Sequence, residues 1–395
     1  MIIPMKGVLN MGTNSAIDTS IEKIRKGDII VKTRPGNDVS IRQVRHEFFF
    51  GTAITNALAE KAGDAMSAED RRMFLKVLEE NFNYAVHENA LKWYTCEESE
   101  NVINYYLADR IWELCKERNI PMRGHCIFWD KDEHNLPWVH KLNNEQLRQA
   151  VKRRAIGVTE HFKGRIHEFD LNNEMIHYDF FRRRLGYGII NEMAYMAKAG
   201  NPDAVLYVND YGILADYGFN AEAYITQIRN LLSSGVPIGG IGCQSHLFSS
   251  VKTDMSVERV QRTLDELSAF HLPIKITECL FEADDEHAQE EELEKIFPVY
   301  FAHPSVEAIL MWGFWEGAHW RPWSAMWRKD WSITPQGAAY RDLVFNRWWT
   351  KTSGKAGEDG TLKARGFYGD YEITAGGETK KVSLCKKDKA VEVAL

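Results

Sequence analysis

EQLRQAVKRRAIGVTEHF (145–162) followed by EFDLNNE (168–174) places an amphipathic stretch before a short apolar run that stops on a carboxylate. In the first segment apolar residues return every three or four positions, the period of a helix with one buried face. In the second they crowd together, as in a parallel strand covered on both sides. The unit recurs in both directions. FFFGTAI (48–54), NYAVHEN (83–89) and PMRGHCIFW (121–129) precede it. VLYVND (205–210), IGGIGCQSHL (238–247), IKITECL (274–280) and AILMWGFW (308–315) follow. Amphipathic stretches such as EDRRMFLKVLEENF and NAEAYITQIRNLLSSG lie between them. Eight strands alternating with helices over about three hundred residues predict an α/β fold, a (β/α)8 TIM barrel. A doubly wound open sheet would carry GxGxxG after an early strand, and that motif is missing.

The flanks follow another period. Residues 26–50 (KGDIIVKTRPGNDVSIRQVRHEFFF) alternate apolar and polar around PGND and read as a β-hairpin. Residues 361–387, beginning TLKARGFYGDYEITAGGETKKVSL, do the same around AGGE, and SGKAGEDG (353–360) reads as a linker. The expected organisation is an N-terminal hairpin extension (1–47), a barrel (48–350), then a linker and C-terminal hairpin extension (351–395). The two hairpins are expected to pair into one small β-module, because chain ends often lie close together.

Composition narrows the partners. With 44% hydrophobic and 27% charged residues the chain reads as an ordinary globular protein. A net charge of −7 argues against nucleic acid as a partner. No apolar run approaches the ~20 residues of a membrane span, so no membrane partner is expected, and the chain is read as a monomer. The opening MIIPMKGVLNMGTN lacks a secretory pattern. A secreted or periplasmic location is expected if a signal was removed before this numbering, and a cytoplasmic one otherwise. The six cysteines show no CxxC and no metal-ligand spacing, so buried free thiols are expected and neither metal nor cofactor is called for.

Glu174 and Glu278 each close a strand-like run. In a barrel of this kind the C-terminal strand ends converge on one site. Two carboxyls presented there match glycosidic bond cleavage, one protonating the leaving oxygen and one attacking the anomeric carbon. The other strand ends supply hydrogen-bonding groups and indoles. The second offers His87, Glu88 and Asn89, with Lys92 and Trp93 beyond; the third offers His125 and Trp129. Asn173 precedes Glu174, the fifth ends in Asn209, Asp210 and Tyr211, and the sixth in Gln244 and His246. Trp312, Trp315 and Trp320 follow the eighth. An indole is a flat platform for a sugar ring, although core filling accounts for about half of the twelve tryptophans. Such an inventory suits a polyhydroxylated ligand.

The segments HENALKW, GHCIFW, DLNNE, NDY, GCQSHL, ITE and WGFWEGAHW occur in the order and spacing of glycoside hydrolase family 10, the barrel xylanases. The resemblance spans roughly residues 48–350. It implies a retaining endo-β-1,4-xylanase acting on xylan or xylo-oligosaccharides. Glu174 resembles the family's acid/base and Glu278 its nucleophile. By the same resemblance Gln244 sits by the acid/base and His246 by the nucleophile. Asn173 would hydrogen-bond the sugar 2-OH. Glu88, Asn89, Lys92, His125 and Trp129 would contact donor-side sugar. Trp312 and Trp320 would wall the cleft, and Asn209 and Tyr211 fall toward the acceptor side. His87 and His177 read as structural.

Departures from the family bear on substrate. Asp130 replaces a histidine and opens a longer polar loop, CIFWDKDEHNLPWV. Trp315-Glu316 replaces a Thr-Asp pair and is expected at the cleft mouth. Glu282 is a rival carboxylate in an acidic run. Alternatives are the same mechanism on another or decorated β-glycan, and a non-catalytic carbohydrate-binding protein. Phe367, Tyr368 and Tyr371 leave open whether the β-module binds glycan or caps the barrel.

Overall fold

The computed structural model describes residues 11–60, 65–215, 218–248 and 255–395, with side chains from residue 16 onward. The first ten residues, whose composition bears on a secretory leader, lie outside them. Among the described residues no helix is long and apolar enough to cross a membrane. The chain forms two units, one of Phe49–Leu293 with Ser305–Ala339 and one of residues up to Phe48 with Glu294–Pro304 and Tyr340–Leu395.

The larger unit is a curled parallel sheet with helices between its strands, a (β/α)8 barrel. Its strands are Phe49–Ile54, Tyr84–His87, a divided third, Glu168–Asn173, Val205–Asp210, Ile238–Leu247, Ile274–Phe281 and Val306–Met311. Each strand occupies one of the eight apolar runs. The first pairs with the eighth, Phe49 opposite Ala308. The third is split: Met122–Arg123 pairs with the second strand, while Phe128–Trp129 pairs with the fourth. Gly124 closes the ring between them, its N–H on Glu168 O at 2.8 Å and its carbonyl taking Asp170 N–H at 3.0 Å. A Cβ at Gly124 would lie 2.5 Å from the Phe169 ring, so only glycine permits this approach.

Local sequence explains the helix and strand of residues 144–173. Asn143 and Gln146 form a reciprocal capping box, which starts the helix Asn144–His161 and contributes about 1 kcal/mol. That helix buries Leu147, Ala150, Val151, Ala155 and Val158 against the barrel. The strand it feeds is buried from Phe169 to Asn173. Inside the ring, Arg123 pairs with Asp170 and Lys275 with Glu168, which also accepts from Tyr84 Oη at 2.8 Å. Charges this deep persist only when paired.

The smaller unit holds two sheets, and here the hairpin expectation for residues 26–50 is corrected. Lys26–Lys32 is the centre of a three-stranded sheet, antiparallel to Thr361–Phe367 and parallel to Ala390–Ala394. Asp38–His46 belongs to the other sheet, between Lys351–Lys355 and Gly369–Ala375. The two strands alternate buried and exposed as expected. That alternation specifies a face, not a partner, and the PGND turn passes the chain between sheets. Ile29, Val31, Ile41, Tyr371, Ile373 and Leu384 form the shared core.

At the other flank Gly369–Ala375 and Glu378–Leu384 do form a hairpin through Gly376 and Gly377, both at positive φ. The segment read as a linker begins as a strand, Lys351–Lys355. Phe367, Tyr368 and Tyr371 are all buried, so none of them is a surface platform for glycan. A helix, Met11–Arg25, precedes the first strand, and Arg25 binds the carbonyls of Phe301 and His303 at 2.7 and 2.8 Å.

Candidate active site

The seventh strand presents Glu278, buried to 5% exposure. Register places Gln244 of the sixth strand opposite it and His246 two residues on, opposite Leu280. Glu278 Oε1 accepts from Asn209 Nδ2 at 2.8 Å, and Oε2 lies 3.2 Å from His246 Nε2. His125 Nε2 stands 3.9 Å from Oε1. Burial raises the carboxyl's pKa, but His125 and then His246 more than reverse this and hold it at about 2.

Glu174 ends the fourth strand with φ +62°, in the left-handed region. Its N–H is fixed on Asn209 O at 2.8 Å. A non-glycine residue held there costs about 1 kcal/mol or more, a strain typical of functional sites. The carboxyl accepts Trp129 Nε1–H at 2.8 Å on Oε2 and Gln244 Nε2–H at 3.2 Å on Oε1. Burial first, then the negative charge of Glu278, raises its pKa. The two carboxyls are thus driven in opposite directions by one site.

Amide groups connect them. Gln244 Nε2 lies 3.4 Å from Asn173 Oδ1, and Asn209 Nδ2 donates to that same oxygen at 2.8 Å as well as to Glu278. Thr277 Oγ1 donates to Asn209 Oδ1 at 2.5 Å, fixing which end of the amide faces the carboxylate. Asn209 is buried, with its amide on the Glu278 carboxyl and the Asn173 amide.

His125 is oriented from below. Its Nδ1 lies 2.8 Å from Asp170 Oδ2, and the other oxygen of Asp170 takes the Arg123 guanidinium. Trp312, also buried, meets the His125 ring edge-on at 5.1 Å.

The remaining candidates divide. Lys92 Nζ donates to Asn89 Oδ1 at 3.0 Å and lies 4.5 Å from the Trp129 ring, which His134 also covers, stacked at 3.8 Å. Burial raises the pKa of neighbouring Glu88. Trp129 is thus an orienting donor to Glu174 with its ring already engaged. Tyr211 stacks on His177 at 3.7 Å, and half-exposed Trp320 meets His246 edge-on at 5.5 Å.

Trp315 is not brought to the cleft mouth. It is buried and stacked on Trp331 at 4.6 Å, whose Nε1–H donates to Asp70 at 2.9 Å. Glu316 accepts the N–H of Lys329 at 2.7 Å. Glu282 is held by both arms of Arg321, at 2.7 and 2.9 Å. Asp130 is buried and caps a neighbouring helix, accepting Phe181 N–H at 2.8 Å and Arg182 Nε–H at 3.1 Å; burial raises its pKa to about 6. His87 is buried with Nε2 on Ala108 O at 3.0 Å, and burial lowers its pKa to about 4, consistent with a structural residue.

Asp170, Thr277 and His134 were not among the candidates. The first two had a signal: a polar side chain amid a buried apolar strand needs a partner. His134 had none, because its stacking depends on how its loop returns to Trp129.

A family model for Glycosyl hydrolase family 10 matches residues 40–343. Anti-sigma-I factor RsgI6 of Acetivibrio thermocellus is 37% identical over 362 residues, 90% of this chain and 45% of that protein. Endo-1,4-beta-xylanase 1 of Arabidopsis thaliana is 34% identical over 361 residues, 89% of this chain and 36% of that protein. The chain spans less than half the length of either relative. Native xylanase 10B from Thermotoga maritima shares the fold, with a TM-score of 0.68 at 24% identity over 76% of this chain and 96% of that one.

Proposed function

The chain belongs to glycosyl hydrolase family 10, and from that we propose that it is a retaining endo-β-1,4-xylanase with Glu278 as nucleophile and Glu174 as acid/base. The observation that carries this reading is the pair of strand-end carboxyls whose pKa values are pushed apart, Glu278 down to about 2 and Glu174 up. The ionised carboxylate attacks the anomeric carbon while the protonated one gives its proton to the departing glycosidic oxygen. A glycosyl-enzyme ester on Glu278 results. Glu174, now ionised, takes a proton from water, which attacks the same carbon and releases the sugar with its configuration retained. Asn173, held by Asn209 and Gln244, is suited to grip the sugar 2-OH. Glu88, Asn89 and Lys92 form the donor-side wall, and Tyr211 the acceptor side. Xylan is the favoured substrate because relatives bear xylanase names.

A proton NMR time course on xylohexaose tests this. Early β-anomeric reducing ends from internal bonds are expected, and α-anomers appearing first would overturn the mechanism. A second reading, carbohydrate binding without turnover, is kept because one relative bears the name of an anti-sigma factor and not of an enzyme. It predicts bound, uncut xylohexaose in the same experiment.

A further inference from the structure

Trp129 aims its indole N–H at Glu174, but its own strand does little to fix the ring. That strand is two residues long, Phe128–Trp129, and the indole is only half-buried. Rotation about its side-chain torsions would carry the N–H off the carboxyl and leave the backbone unchanged. A contact from outside the strand has to hold the ring.

His134 supplies that contact. Its imidazole lies flat on the indole, with ring centres 3.8 Å and planes 19° apart. The loop that presents it folds back on Trp129 itself. Buried Asn135 donates through Nδ2 to the carbonyls of Trp129 and Lys131 at 3.1 and 2.8 Å. Asp132 is held by Arg183 at 2.6 Å, and its carbonyl lies 3.0 Å from His140 Nε2. Lys92 bears on the same indole at 4.5 Å and is fixed by Asn89 Oδ1, which also accepts from Tyr94 Oη at 3.0 Å. The Tyr94 ring in turn stands 5.9 Å from His134. The charged groups facing the imidazole are Lys131, Lys92 and Glu133. Burial and then the two lysines lower its pKa to about 4, so near neutral pH it is an uncharged ring.

We propose that His134 is a positioning residue for the acid/base: its imidazole clamps the Trp129 indole so that the N–H stays on Glu174. The part Glu174 plays rests on the xylanase reading above; the clamp itself does not. Two measurements test the proposal. In the first, the Trp129 indole N–H proton resonance, identified by its loss in Trp129→Phe, is followed against pH in the unaltered protein and in His134→Ala. It is expected to sense Glu174 ionisation in the former and to lose most of that response in the latter. An unchanged response overturns the clamp whether or not the protein cuts xylan. In the second, His134→Ala is expected to move the alkaline limb of kcat/KM on xylohexaose to higher pH, with about a threefold loss at the optimum. Glu278, His125, Asp210 and Lys131, the charged neighbours of Glu174, are the same in both proteins. His134→Phe keeps a flat ring on the indole and is expected to restore limb and rate. In Trp129→Phe, which has no N–H to aim, adding His134→Ala is expected to cost nothing further. A rate loss with an unmoved limb, or an undiminished loss in Trp129→Phe, overturns the role in catalysis. Absence of xylohexaose cleavage by the unaltered protein tells against the xylanase reading alone, and the proton resonance still decides the clamp.

Discussion

The indole N–H of Trp129 donates to Glu174 at 2.8 Å. This bond favours the ionised carboxylate, opposing the burial that favours the acid. Trp129→Phe removes the donor and keeps a ring. Glu174 is then expected to titrate higher, moving the alkaline limb of kcat/KM on xylohexaose to higher pH, with about a tenfold loss at the optimum. A fall in rate with an unmoved limb would assign Trp129 to packing alone.

The two carboxyls separate by leaving group. Glu174→Ala is expected to cost about 10²–10⁴-fold on xylan, yet to spare glycosylation by 2,4-dinitrophenyl xylobioside, which needs no acid. Glu278→Ala loses both substrates. Equal losses for Glu174→Ala in the pre-steady-state burst would reverse the assignment.

Stability carries the signature of Glu278. Its folded pKa of about 2 lies below the ordinary 4.5. Its contribution is therefore fully present above 4.5 and lost as pH falls through 2. Glu174, shifted upward, contributes in the opposite sense, below its ordinary value and lost as pH rises through the folded one. Glu278→Gln is expected to flatten the decline of thermal midpoint between pH 4.5 and 2. An unchanged slope would place the acid sensitivity elsewhere.

Asp130 acts on a helix rather than on sugar. Asp130→Ala leaves the Phe181 N–H and the Arg182 Nε–H without their acceptor, and urea unfolding is expected to show about 1–3 kcal/mol lost. Per folded molecule, the rate on 4-nitrophenyl xylobioside stays the same. Unaltered stability would mean water replaces the carboxylate.

The barrel was legible because each strand is an apolar run bounded by an amphipathic helix, a local pattern. Glu174 and Glu278 were legible because strand ends converge. Partner choice in the small sandwich was not: Lys26–Lys32 and Asp38–His46 showed their faces, but their neighbours lie hundreds of residues away. Trp315 and Asp130 misled for a related reason. Each sits where a family cleft residue would be, and each is claimed by a distant group, Trp331 and Arg182, that no local pattern announces.

The sandwich has a consequence for synthesis. Lys26–Lys32 is made hundreds of residues before either of its flanking strands, Thr361–Phe367 and Ala390–Ala394. Every barrel strand is available before either, so the barrel can fold while this sheet still lacks two of its three strands. A polypeptide stalled before residue 361 would carry a strand with both edges bare, an invitation to pair with another chain. The first strand of the small unit is therefore completed only by segments made after the whole barrel.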